Sequence, residues 1–505
     1  MGGPLAPKLA VARAVGALSR IHGGGGTSAP GKVLMRLDAG AIGSLAGRLT
    51  RGSAIVSATN GKTTTAAMAA GILRRQGIAL VHNQAGANMA GGIASTLLEA
   101  ARPGGRIAGE LGLFEVDEFW LGALAAQLHP RAILLGNLFR DQLDRYGELE
   151  SIAERWAQAL SDGPARDAQL VLNADDPLLA DLGRARVDAD SAHTDRVQTP
   201  SAQGDHVHNG SAHADGAHTG SAHADGAHTG RVLYFGVQDD SLALAGMAHA
   251  ADAKHCRRCG APYVFDAVYL GHLGHYHCAS CGQSRPQPTV SASAVTLRGV
   301  RSARFTLRTP AGEADVELAL PGLYNVYNAL AAAALTSALG VPLADIVAGL
   351  EDARAAFGRA ETAAVAGREL RILLVKNPAG ANEVLRTLAL EPGEHDVLGV
   401  LNDNTADGRD VSWIWDADFE LLAGRVRRVT CSGTRAPELA VRLKYAGIDP
   451  ARIAVSEDLP HALAEAAADR PRGTRTPLYA LPTYTAMLSL RELLVARGEL
   501  SRAWA

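Results

Sequence analysis

The sequence predicts an α/β protein with a parallel sheet, a phosphate-binding loop in its larger part and a second α/β unit at its C-terminal end. Three observations carry this. Over about residues 51–180, apolar strand-like runs alternate with Ala/Leu-rich helical runs, the pattern of βαβ units. One of those runs, Ala54-Ile55-Val56, leads into Ser57-Ala58-Thr59-Asn60-Gly61-Lys62-Thr63-Thr64-Thr65 and then a helical stretch from Ala66 to Leu73. A second alternation fills about 368–505, with strands expected near Leu370–Val375, Val397–Leu401, Arg427–Thr430 and Leu478–Leu481.

Residues 1–50 read as one or two helices with Gly23–Gly26 as a linker. The stretch Leu5–Ser19 is apolar but broken by Lys8 and Arg13, and it lacks a small-residue cleavage site, so it reads as a helix and not as a signal peptide. Strands follow at Ala54–Val56, Ala132–Leu135 and Gln169–Leu172. About 188–230 the pattern breaks. The decamer Ser-Ala-His-Ala-Asp-Gly-Ala-His-Thr-Gly occurs twice, at 211–220 and 221–230, with almost no large apolar residue, so this His/Asp/Gly-rich insertion is expected to be disordered. Arg231–Phe235 resumes a strand, a cysteine module spans 256–281, and Val295–Leu307 with Glu313–Leu320 reads as a hairpin. Helical runs at 325–340 and 342–356 precede the C-terminal unit. The expected domains are therefore an N-terminal helical segment (1–50), a central domain (51–366, with the insertion at 188–230 and a cysteine ribbon at 250–290) and a C-terminal α/β domain (367–505).

With 505 residues, 47% of them hydrophobic and 20% charged, the chain can bury sizeable cores. A net charge of −3 offers no global basic excess for nucleic acid or anionic lipid. No run of 18 apolar residues occurs, so no transmembrane helix is expected. Four of the five cysteines form two CxxC pairs, Cys256/Cys259 and Cys278/Cys281, separated by 18 residues. Each pair offers two thiolates to one ion, and the two pairs complete a tetrahedral four-thiolate site with no open position, which predicts a structural Zn²⁺. His272, His275 and His277 lie near it and read as surface or stacking residues.

The Thr59–Thr64 loop is built for phosphate. Loop amides and the helix N-terminus hold phosphate oxygens, Lys62 adds a point charge and the Thr63 hydroxyl reaches Mg²⁺. The general pattern asks for Gly where this chain has Val56.

The Thr-Asn-Gly-Lys-Thr-Thr form resembles the Mur ligase superfamily, as do Glu115-Val116-Asp117-Glu118, Asn137 with Asp141-Gln142-Leu143-Asp144, Leu172–Pro177, Gly322–Asn328 and Gly358-Arg359, in family order. A four-cysteine ribbon inside such a ligase is similar to the MurT-type synthetase subunits of lipid II isoglutaminyl synthase. Further matches are Gly24–Gly31, His82–Ala90, Asn137–Glu148, Lys376–Gly380, Leu401–Glu420 and Leu481–Met487. The resemblance implies a Mur ligase-like central domain with an inserted zinc ribbon, and ATP and Mg²⁺ as cofactors. It implies amidation of the D-Glu α-carboxylate of the lipid II stem peptide through an acyl phosphate, in the cytoplasm at the inner face of the plasma membrane. On this resemblance Thr59, Asn60, Gly61, Lys62, Thr63, Thr64, Asn325, Asn328 and Arg359 bind ATP, and Thr63 and Glu115 hold Mg²⁺. Asn325 and Asn328 also read as a helix N-terminal cap. Gln142 stands where the superfamily often has a histidine of its second metal site, and Leu373–Pro378 lacks the usual acidic residues, which leaves a ribose contact there open.

The chain carries no convincing glutaminase. Cys431, the one unpaired cysteine, reads as an ordinary residue at a strand end, so ammonia must come from solution or from a partner. The resemblance implies a GatD-type glutaminase subunit whose Cys and His are completed by an aspartate of this chain. Asp410 is the first choice and Asp403 the second, while Asp407-Gly408 reads as a turn. Trp413 and Trp415 beside them mark a surface that is covered. Two other readings stay open: a stand-alone amino-acid ligase of the Mur or folylpolyglutamate type, and a nucleic-acid-binding zinc-ribbon protein.

Overall fold

The computed structural model describes residues 5–21, 28–83, 86–103, 106–141, 149–161, 163–197, 232–247, 251–354, 361–468 and 476–500. The chain forms two large sheets. The first contains β1 (Ser53–Ser57), β2 (Leu80–His82), β3 (Leu111–Glu115), β4 (Ala132–Leu135), β5 (Gln169–Asn173) and β6 (Val232–Val237). A separate hairpin, β7 (Val264–Leu270) with β8 (Leu273–His277), belongs to the cysteine module, after which β9 (Val290–Arg298), β10 (Ser302–Thr309) and β11 (Gly312–Leu318) rejoin the first sheet. The second sheet contains β12 (Glu361–Val365), β13 (Arg368–Ile372), β14 (His395–Val400), β15 (Val426–Ser432), β16 (Ile453–Val455) and β17 (Leu478–Pro482).

The nine strands of the first sheet run in the order β11-β10-β9-β6-β5-β4-β1-β3-β2, parallel from β9 to β2. All five residues of β1 and of β3 are buried, as helices on both faces of a parallel sheet require. Alternation sorts the side chains of β1 between two cores. Ala54 and Val56 join the core of helices Lys62–Arg75 and Leu323–Ala338, whereas Ile55 joins that of Ala90–Ala100, Leu121–Leu128 and Leu149–Ser161. β1 lies between β3 and β4, with Val56 beside Glu115 and Ser57 beside Leu135. The carboxyl ends at this topological switch point are where an open α/β sheet presents its ligand crevice. The second sheet, ordered β12-β13-β17-β14-β15-β16, is parallel except at its β12 edge.

Several expectations change. The N-terminal region forms three helices, Leu5–Ile21, Ala29–Leu37 and Ala41–Ala46. The run Val295–Leu307 is two strands, because the chain turns at Gly299 with φ +55, so β9, β10 and β11 form an antiparallel meander and not a hairpin. Helix Pro177–Val197 continues into the stretch that composition marked as disordered, and the rest of that insertion lies outside the described residues. No helix among the described residues is long and apolar enough to cross a membrane.

Candidate active site

Leaving β1, the loop reaches Gly61 at φ +84. A Cβ there would overlap the Asn328 side-chain oxygen, so the position requires glycine twice over. Helix Lys62–Arg75 then begins without a side-chain cap, and its first-turn amides keep the capacity that phosphate oxygens take up. Lys62 is buried. Its ammonium donates to the Ala58 and Thr59 carbonyls and, at 2.8 Å, to Glu118. Burial works against that charge, but Glu118, with Glu115 and Asp117 behind it, outweighs burial and holds Lys62 above the usual lysine pKa. Glu115 ends β3 at 4% exposure, and its carboxylate has no hydrogen-bond or ion-pair partner among the described residues. The buried Glu115 carboxylate and the half-buried Thr63 hydroxyl are oxygen ligands of the kind a divalent cation takes. Asp117 caps the short turn Glu118–Trp120 by accepting from Phe119 N, and Trp156 donates to the Glu118 carbonyl at 2.8 Å.

The segment Asn137–Asp141 fastens this loop from behind. Asn60 and Asn137 exchange two bonds, Asn60 N to Oδ1 at 2.8 Å and Asn137 Nδ2 to the Asn60 carbonyl at 3.0 Å. The Thr59 hydroxyl accepts from Phe139 N at 3.1 Å and donates to the Phe139 carbonyl at 3.3 Å, and the Thr59 amide donates to the Asn137 carbonyl at 3.0 Å, so both are committed to the protein. Leu138 N donates to Asp176 and Arg140 N to Asp252. Phe139 stacks at a tilt on His272 with centroids 4.8 Å apart. His272 is fully buried against Asp176, which corrects its assignment to the surface, while the stacking role holds.

The C-terminal unit closes over the loop. Asn377 and Asn60 pair side chain to side chain, and Lys376 donates to the Thr59 carbonyl at 3.0 Å and forms an ion pair with Asp141. Between the two units lies an open cleft, the kind of concave surface where small-molecule sites form. Asn60, Gly61 and Thr64 line one part, and Asn325, Asn328 and Tyr324 another. Helix Leu323–Ala338 is capped at Gly322, so Asn325 and Asn328 stand inside its first turns and are not caps. Asn325 donates to the Pro321 carbonyl and accepts from Asn328, whose oxygen receives the Thr65 hydroxyl at 3.3 Å. Arg359 and Gln142 lie outside the described residues.

A second cleft, lined by Arg140, Asp141, Lys376, Asp410, Trp413 and Asp416 among others, separates this loop from the acidic segment after β14. Asp403 is held by Arg435 and Thr434, and these bonds depress its pKa. Asp407 is buried on Thr485, and burial raises its pKa. Among the described residues Asp410 accepts only from Ser412, which lowers its pKa. Trp415 is 51% exposed, tilted against Tyr445 and beside the Arg442 guanidinium. Cys431 is fully buried, and burial pushes its thiol up to about 12, so it is no nucleophile.

The four clustered cysteines have all their sulfurs within 4.8 Å of one another. Cys256 and Cys281 lie 3.6 Å apart and Cys259 and Cys278 3.4 Å, near the ~3.8 Å edge of a tetrahedron with 2.3 Å Zn–S arms. The four thiols fit a zinc ion, which would be structural.

Sequence reasoning placed Lys62 and the four cysteines on their own motifs. It missed Glu118 as the partner of Lys62, the Thr59–Phe139 exchange and the Lys376–Asp141 pair. The last two join segments far apart in sequence, and no local pattern signals them.

A parallel sheet with its phosphate loop at the switch point, closed by a second α/β unit, defines the Mur ligase fold. The chain is similar in structure to a pseudomurein peptide ligase type C from Methanothermus fervidus (TM-score 0.58, 19% identity, 89% of this chain and 79% of that one). It is also similar to folylpolyglutamate synthase from Mycobacterium tuberculosis (TM-score 0.55, 15% identity, 90% and 94%). Residues 56–218 match the Mur ligase middle domain and residues 374–487 the MurT ligase C-terminal family. The subunit MurT of lipid II isoglutaminyl synthase (glutamine-hydrolyzing) from Streptococcus pneumoniae is 31% identical over 95% of this chain and 94% of its own length. Its counterpart from Staphylococcus aureus strain N315 is 30% identical over 94% of each chain. The chain belongs to the MurT family of ligase subunits.

Proposed function

We propose that this chain is the ATP-dependent synthetase subunit that converts the D-Glu α-carboxylate of the lipid II stem peptide to the amide of D-isoglutamine. The similarity to MurT subunits along nearly the whole chain supports the reaction class. The observation that carries the division of labour is the state of the three loop aspartates. Asp403 is tied to Arg435 and Asp407 to Thr485, whereas Asp410 lines the second cleft and, among the described residues, is bound only to Ser412.

A carboxylate is a poor electrophile because it would have to expel oxide. Transfer of the ATP γ-phosphoryl group gives an acyl phosphate with a good leaving group, which ammonia then displaces. Positioning and charge therefore do most of the work. Gly61, Lys62 and the first-turn amides of Thr63 and Thr64 hold phosphate oxygens, while Thr59 and Asn60, whose amides are taken by Asn137, shape the loop. Thr63 and Glu115 would hold Mg²⁺, which would supply positive charge beside the phosphates. Lys62, kept charged by Glu118 and the carboxylates behind it, brings that charge to the phosphates. Asn325, Asn328 and Arg359 contact the nucleoside or its phosphates. Ammonia comes from a GatD-type glutaminase, whose Cys–His pair Asp410 completes by orienting the His. The protein works in the cytoplasm at the inner membrane face, where a lipid-linked substrate presents its peptide, and the four cysteines hold a structural Zn²⁺.

The test is amidation of lipid II with ATP and Mg²⁺, supplied with NH₄⁺ or with glutamine, with and without a GatD-type partner, followed by mass spectrometry. The expected result is carboxyl-to-amide conversion with NH₄⁺ alone, and with glutamine only when the partner is present. ATP turnover that depends on an added amino acid would instead establish the amino-acid ligase.

A further inference from the structure

We propose that Glu383 is the residue that reads the ribose of the nucleotide, its carboxylate accepting the 2′- and 3′-hydroxyls. This rests on the reading of the first cleft as the ATP site. Glu383 stands on helix Pro378–Ala389, which lines the cleft with Gly380, Glu383 and Val384. At the start of that helix, Asn377 pairs with Asn60 of the phosphate loop, and Gly380 faces the Asn60 amide. Toward its end, Thr387 packs beside Gly322 and Tyr324. The cleft wall around Tyr324 is apolar, with Leu320, Leu373, Leu374 and Val384, and suits a base. Glu383 lies between these ends, one helical turn beyond Gly380 and one before Thr387. A nucleotide with its phosphates on the loop and its base against the apolar wall places its ribose at the same level.

Among the described residues, Glu383 is the one carboxylate on this cleft. It is buried at 4% exposure, and burial raises its pKa against the opposing charge of Arg386, which donates to it at 2.7 Å. One guanidinium bond leaves acceptor capacity on the carboxylate, which has room for about four bonds. A vicinal diol supplies two donors, the pairing by which acidic residues bind nucleotide riboses in dinucleotide folds. The stretch Leu373–Pro378 brings no acid to the cleft.

The test compares ATP with 2′,3′-dideoxy-ATP, each with Mg²⁺, by calorimetry on the full chain and on Glu383→Met and Glu383→Gln variants whose thermal midpoints are measured alongside. For the unaltered chain, ATP is expected to bind about tenfold to a hundredfold tighter than the dideoxy nucleotide, the value of a charge-assisted hydrogen-bond pair. Glu383→Met should erase that preference by weakening ATP alone, and Glu383→Gln should restore part of it. Equal loss for both nucleotides in Glu383→Met, or no preference in the unaltered chain, would overturn the proposal. If Glu383→Met does not fold, the unaltered chain and Glu383→Gln decide: a preference undiminished in Glu383→Gln overturns the inference. Failure of the unaltered chain to bind either nucleotide would bring down the ATP reading itself, a result distinct from loss of ribose preference.

Discussion

Lys62 shows how a side chain is held ready. Its ammonium is buried, yet Glu118 at 2.8 Å and the loop carbonyls keep it charged and in place. Replacing it with methionine is expected to lower kcat/KM for ATP-dependent amidation by about 10²–10³-fold, the loss seen when one preorganised electrostatic contact is removed. Glu118→Gln weakens the hold without removing the cation, so a smaller loss is expected, read as a rise in the KM for ATP. Asp410→Asn is expected to abolish glutamine-driven amidation while leaving NH₄⁺-driven amidation intact. Loss of both in the same assay would move Asp410 out of the proposed triad. Cys431, buried and raised to about 12, should resist alkylation in the native protein at neutral pH, as mass mapping would show. The motif made Lys62 and Thr63 legible in sequence. Glu118 as the lysine's anchor was not, because nothing in the order Glu115-Val116-Asp117-Glu118 says which carboxylate turns toward β1. The short turn capped by Asp117 decides that.

At the scale of elements, the cysteine module and the phosphate loop are one assembly. β7 and β8 bring His272 onto Phe139, whose backbone exchanges both bonds with Thr59, and Asp252 of the same module holds Arg140. Zinc is expected at about one ion per chain by elemental analysis, and a Cys256→Ser/Cys278→Ser variant should lose it. Stripping the metal should lower the thermal midpoint and raise the KM for ATP more than that for ammonia, because the disturbance reaches the loop through Phe139. Phe139→Ala, at 2% exposure, should cost about 3–5 kcal/mol of stability, measurable by denaturant unfolding. The two CxxC pairs and their spacing were plain in the sequence. The strap Asn137–Asp141 was visible only as a family motif, since its partners Thr59, Asp176 and Asp252 are scattered along the chain.

Across the whole molecule, the first cleft exists only because two α/β units meet. Asn60 pairs with Asn377, Lys376 spans to Thr59 and Asp141, and Arg140 lies 3.5 Å from Asp416 beside the Asp410 loop. Lys376→Ala removes the tie that reaches both Thr59 and Asp141 and is expected to weaken ATP binding about tenfold, the worth of one charge-assisted bond, as measured by calorimetry. Removing residues 198–230, which carry almost no large apolar side chain, is expected to leave the thermal midpoint and the amidation rate unchanged.

The sequence by itself determined the alternation of strands and helices, the glycine-bearing loop between β1 and its helix, and the set of four clustered cysteines. Each is written in neighbouring residues: apolar periodicity, a glycine forced to positive φ, and thiols two residues apart. The tertiary structure alone decided which carboxylate holds Lys62, that the Thr59 hydroxyl faces Phe139 and away from the cleft, and that Asp403 is bound by Arg435 and Asp407 by Thr485 while Asp410 bonds only its near neighbour Ser412 among the described residues. It also set Glu383 on the cleft wall. These depend on contacts between segments tens to hundreds of residues apart, fixed by sheet order and by the packing of one domain against the other, which no local pattern encodes.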